Sequence, residues 1–117
     1  GHAPALALAR EALEAFLAAE RHAHALWFTR SLPDALKAHG RIQYLYATAA
    51  VRGGEPAEAL DILSRELPDI REGEAGAVAL WEELHERLLA AREGVPRDAA
   101  LRERVRREFP PPAHLRA

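Results

Sequence analysis

Two adjacent glycines, Gly53-Gly54, sit between two apolar stripes of helical spacing, and that arrangement leaves few folds open. Before them Ile42, Leu45, Tyr46, Ala49 and Ala50 recur at i, i+3, i+4, i+7 and i+8, one face of a helix. After them Ala59, Leu60, Ile62, Leu63 and Leu67 form a second stripe. Gly54 supplies the positive φ that ends many helices, and Pro56 suits the first turn of the next. Pro68 lacks an N–H and crowds the preceding turn, so it stops the second helix. Helices joined by so short a loop lie antiparallel and bury their stripes together, with Ala47 and Ala50 small where the partner approaches. Residues 41–68 are therefore predicted to form a helical hairpin.

The remainder reads as further hairpins. An Ala/Leu-rich helix is expected over residues 4–20, its bulk being Leu6, Leu13, Phe16 and Leu17. A shorter one over 22–31 brings Ala25, Leu26, Trp27 and Phe28 and is broken by Leu32-Pro33-Asp34. Residues 34–40 read as a helical turn or loop, and the polar, glycine-punctuated residues 69–74 as a loop. A long helix over 76–93 carries Leu80, Trp81, Leu84, Leu88 and Ala91 on one face and ends at Gly94-Val95-Pro96. In the last helix, 98–108, Asp98 is the expected N-cap and Leu101, Val105 and Phe109 the buried side chains. Pro110-Pro111-Pro112 ends it. The expectation is six helices in three hairpins, the third the least regular.

One pattern occurs twice. Ala25-Leu26 followed by Leu32-Pro33-Asp34 returns as Ala59-Leu60 followed by Leu67-Pro68-Asp69. With Ala47, Ala50, Gly54, Ala59, Leu63 and Leu67, this recurrence resembles the tetratricopeptide repeat, whose period is about 34 residues. Two departures stand out: the family's tryptophan position holds Gln43, and its terminal proline arrives early, at Pro68. The resemblance implies an all-α fold, a right-handed stack of about three antiparallel helical hairpins forming a tetratricopeptide-like α-solenoid.

Roughly the last two thirds of the chain resembles, more narrowly, the C-terminal end of a bacterial family of large proteins of unassigned function. In that family a mutarotase-like β-sandwich region comes first and tetratricopeptide-type helices last. The matching residues are 68–74, Leu80-Trp81, Gly94-Val95-Pro96, Asp98 and 109–115, while Arg116-Ala117 departs from the usual terminus. The resemblance implies a carbohydrate-active parent whose catalytic part lies outside this chain. Methionine is absent, so the chain is expected to be a cut piece of a longer protein, with residues 1–2 a tag remnant and 3–117 a single helical domain.

Composition narrows the function classes. Sixteen basic against 18 acidic residues give a net charge of −2, without the basic excess of a nucleic-acid binder. No cysteine is present to form a disulfide, a thiolate metal site or a nucleophile. No apolar run approaches the ~20 residues of a membrane span. The start lacks a signal peptide's basic region, and charge appears by Arg10. A cytoplasmic location is expected.

Candidate chemistry is sparse. His22 and His24 are two apart, so on a helix they diverge, whereas Glu20 and His24 are i, i+4. Glu82-x-x-His85 has the spacing of helical di-iron ligands, but no second copy exists to complete such a site. Ser31 and Ser64 lack a nucleophile elbow, the adjacent Glu82-Glu83 diverge, and Gly53-Gly54 lacks the Lys-Ser/Thr of a phosphate loop. Arg97, Arg102, Arg104, Arg106 and Arg107 are interleaved with Glu103 and Glu108, the ordinary pairing of a solvated helix. Neither a metal, a cofactor nor a catalytic residue is expected.

Recognition by shape remains. In a tetratricopeptide-like stack the first helix of each hairpin lines the concave side. Carried over by position, that face shows Arg41, Tyr44, Thr48 and Arg52, a set suited to an acidic or C-terminal peptide segment. The expected function is a non-catalytic module binding a protein or peptide. The alternative is a structural or dimerisation domain packed against the mutarotase-like catalytic domain. Leu6, Leu8, Leu13, Phe16 and Leu17 exceed one buried stripe, so homo-oligomerisation through the N-terminal hairpin is also expected.

Overall fold

The computed structural model describes residues 3–67 and 76–116. Its helices are α1 (Ala3–Ala18), α2 (His22–Arg30), α3 (Asp34–Lys37), α4 (Gly40–Arg52), α5 (Pro56–Ser64), α6 (Ala77–Glu93) and α7 (Ala99–Glu108), followed by a 3-10 turn, Ala113–Leu115. Among the described residues there is no strand, and the molecule measures 47 × 29 × 20 Å. No described helix is long and apolar enough to cross a membrane. The loop expected over 69–74, its Pro68 stop and the expected tag remnant lie outside the described residues.

The local signals act as chemistry dictates. Gly54 takes φ 88° just past α4, and Pro56 opens α5. Asp98 caps α7, its side chain accepting from the Leu101 N–H at 3.0 Å. The turn after Pro33 closes into a short helix of its own, α3, so the described residues hold seven α-helices where the sequence predicts six. α5 ends at Ser64 rather than reaching Leu67, because Arg65 is already extended, with ψ 150°.

α4 is the centre of the molecule and packs on α1, α2, α5 and α6. Its residues Ile42, Ala47, Ala49, Ala50 and Val51 are wholly buried, which is why small side chains dominate it. α1 meets α2, α5 meets α6, and α6 meets α7. One core runs from Ala9 and Leu13 on α1 through α4 and α5 to Leu80, Trp81 and Leu84 on α6. A smaller one joins Leu89 to Leu101 and Val105 of α7.

A register runs through the first two hairpins. α1 ends at Ala18 and α4 at Arg52, and α2 over His22–Arg30 is matched by α5 over Pro56–Ser64. One constant offset of about 34 residues carries each of these ends onto its counterpart. The third hairpin breaks the register: α6 runs on to Glu93, about two turns beyond Glu86, where the same offset would end it. At the N-terminus Leu13 is wholly buried, Leu6, Phe16 and Leu17 pack against the core, and Leu8 faces solvent. Trp27, expected among the bulk of α2, is 68% exposed.

Candidate functional site

A polar cleft of about 470 Å³ opens where α1, α2, α4 and α6 converge. Leu17, Ala18, Glu20, His22, Arg52, Glu83 and Arg87 line it. Each arrives for a local reason. Arg52 stands in the last turn of α4, where a cation opposes the helix dipole. Glu83 and Arg87 are i, i+4 on α6, with Arg87 Nε 3.0 Å from Glu83 Oε2. Arg52 Nε lies 3.8 Å from Glu83 Oε1, so one carboxylate faces two guanidinium groups. His22 begins α2, and its Cβ approaches Gly53 so closely that a Cβ there would lie 3.0 Å away.

Glu20 reaches the cleft from a strained position. It has φ 57°, and among the described residues no other non-glycine has a positive φ. The turn closes with Arg21 N–H donating to the Phe16 carbonyl at 2.8 Å and Glu20 N–H to the Leu17 carbonyl at 3.0 Å, the paired bonds of a left-handed helix cap. Since Glu20 lies outside α1 and α2, its i, i+4 spacing to His24 is not a helical one. His24 instead lies against Phe16, ring centroids 5.9 Å apart.

The four residues read as a concave face are placed unequally. Arg52 lines the cleft. Thr48 is buried, its hydroxyl donating to the Tyr44 carbonyl at 3.1 Å. Tyr44 packs partly against the core. Arg41 is half-buried in the first turn of α4, at the opposite end of the helix from Arg52 and outside the cleft lining. Sequence reasoning weighs Glu20, His22 and Glu83 only as metal or paired-carboxylate candidates and leaves Arg87 aside. The available signal for Glu20 was its position in the first hairpin, which corresponds to that of Gly54 in the second.

Other charged clusters are structural. Arg30 Nε donates to the Tyr46 hydroxyl at 3.0 Å, and its Nη2 reaches Glu55 at 2.7 Å and Glu58 at 3.0 Å. Burial raises the Tyr46 phenol above its ordinary pKa, and Glu58 adds to the effect. Hydrogen bonds shared with Glu58 and Arg30 hold Glu55 below the usual carboxylate range. The arginines near α7 face carboxylates: Arg97 and Arg102 face Glu86, Arg104 faces Glu93, Arg106 faces Glu82 and Arg107 faces Glu108. Glu82 and His85 do not converge, because Arg106 takes Glu82 while His85 is buried between Trp81 and Phe109. Among the described residues no group of three or more histidine, aspartate or glutamate side chains is placed to hold a metal ion.

Compared with protein-family models, curated proteins and solved structures, the chain has no match.

Proposed function

We propose that this chain is a non-catalytic helical-repeat module for protein–protein interaction, acting in the cytoplasm as the C-terminal part of a larger bacterial protein. In this reading α1–α2, α4–α5 and α6–α7 are three hairpins of a right-handed, tetratricopeptide-like stack. The observation that carries it is the constant register of helix ends across the first two hairpins. The packing agrees, since α4 touches both α1 and α6 as an inner row, while α2, α5 and α7 each back a first helix.

The partner is a peptide with acidic side chains or a free C-terminus, held where Arg52 and Arg87 line the cleft, since residues 45–51 of α4 are buried and leave no surface joining Arg52 to Arg41. The test is fluorescence anisotropy with labelled acidic peptides, each with a free or an amidated C-terminus. Arg52→Ala and Arg87→Ala should each weaken binding about tenfold, a loss of ~1.4 kcal/mol, with helicity unchanged, and Arg41→Ala should leave it as it is. Undiminished binding by the variant carrying both Arg52→Ala and Arg87→Ala would reject the cleft.

The exposed Leu8 and Trp27 favour the second reading, a structural or dimerisation domain packed on a mutarotase-like catalytic domain. Co-expression with the rest of the parent separates the two: a complex that survives the double arginine variant but not Leu8→Glu supports the structural role.

A further inference from the structure

His85 is 7% exposed, and its Nε2 is buried without a hydrogen-bond partner. An orphaned polar atom in a core is costly and calls for a reason. The imidazole lies between two aromatic rings: Trp81 at 4.5 Å between centroids, tilted by 58°, and Phe109 at 4.6 Å, stacked within 12°. Phe109 begins the C-terminal segment, and its carbonyl accepts from Trp81 Nε1 at 2.9 Å. Pro110, Pro111 and Pro112 then offer no backbone donors. Beyond them Leu115 is buried in the main core, and His114 Nε2 meets the Leu63 carbonyl at 2.9 Å. The segment thus runs from α6 to α5, fastened chiefly at its two ends.

We propose that residues 109–116 form a proton-operated strap, in which protonation of His85 expels Phe109 and uncovers the apolar flank of α5 and α6. A neutral imidazole stacks well in a dry aromatic slot, whereas an imidazolium there needs a counter-ion or water. The nearby carboxylates do not serve. On α6 itself Glu82 is held by Arg106, and Glu86 by Arg97 and Arg102, while on α7 Glu103 faces Arg106 and Glu108 is taken by Arg104 and Arg107. On α5, Glu58 is engaged by Arg30 and Asp61 by Arg65. On α4 the charged groups are Arg41 and Arg52, the latter facing Glu83. The strap itself brings His114 and Arg116, neither of them an anion.

Burial also depresses the His85 pKa below the ordinary imidazole value. The closed strap is therefore fully favoured above pH ~6.5 and loses ground as pH falls below it, by at most about tenfold in the open-to-closed ratio per pH unit.

Amide hydrogen exchange between pH 7.5 and 5.5, corrected for intrinsic rates, tests this, together with Trp81 fluorescence in a Trp27→Phe background. Acid should release the amides of Phe109, Leu115 and Arg116, which donate to the Val105, Pro112 and Ala113 carbonyls, while α4 and the body of α7 stay protected. His85→Phe, which keeps a ring in the slot, should abolish the response, and Phe109→Ala should leave the segment open at both pH values. Three outcomes overturn the strap: an unchanged acid response in His85→Phe, α4 and α7 opening together, or no opening at pH 5.5.

Discussion

Glu20 and Gly54 occupy the same place in successive turns, each the second residue past its helix, and each has a left-handed φ, 57° and 88°. The closing bonds correspond, Arg21 N–H to the Phe16 carbonyl at 2.8 Å and Glu55 N–H to the Ala50 carbonyl at 2.9 Å. Only one of the two turns has the residue that the conformation favours. Glu20→Gly should therefore stabilise the fold by up to ~1 kcal/mol in urea unfolding, and Gly54→Ala should destabilise it by about as much. No atom lies within 4 Å of a Cβ at Gly54, so Gly54→Asn, which tolerates this φ, should cost less than Gly54→Ala. Equal costs would point to a steric cause.

Tyr46 fastens the first hairpin to the second more firmly than the ion pairs around it. Arg30, Glu55 and Glu58 are all 43–52% exposed, where ion pairs contribute little and salt screens them. Tyr46 is 8% exposed, and its hydroxyl accepts from Arg30 and donates to Glu58. Tyr46→Phe should cost about 1–2 kcal/mol at any salt concentration. A loss that vanishes in 1 M NaCl would assign the stability to the ion pairs instead.

Cavity and overpacking effects should be largest along α4 and the α6 face beside it. Leu84 is wholly buried, and Leu84→Ala should lower stability by ~2–5 kcal/mol. Ala50 is also wholly buried, so Ala50→Leu should cost ~1–3 kcal/mol through overpacking. Ala5→Leu, at an exposed position of α1, should be nearly neutral. Denaturant midpoints rank the three, and a neutral Ala50→Leu would mean that α4 is not packed as described.

Association through the first hairpin is the expected outcome of leaving Leu8 and Trp27 each 68% exposed. The mean mass by light scattering should rise with concentration, and Leu8→Glu should return it to that of one chain. A concentration-independent monomer would remove the N-terminal interface.

Much of this was legible in the residues because the signals are local. Gly54 needs a positive φ, Pro56 fits a first turn and Asp98 caps a helix whatever surrounds them, and the helical spacing of Ile42, Leu45, Tyr46 and Ala49 sets the buried face of α4. The left-handed turn at Glu20 was less legible, because its side chain disguises a position that glycine usually marks.

The sequence by itself determined the all-helical class, the hairpin about Gly53-Gly54 and the return of Ala25-Leu26 as Ala59-Leu60, since each depends on neighbours within a few turns or on simple recurrence. Tertiary structure alone decided which polar side chains meet. Thr48 turned inward because α4 is covered on nearly every side, while Glu20, His22, Arg52, Glu83 and Arg87 came together from separate parts of the chain. It also put His85 between Trp81 and Phe109, although the whole of α7 separates Phe109 from α6 along the chain. Such meetings depend on how helices cross, which no local periodicity encodes.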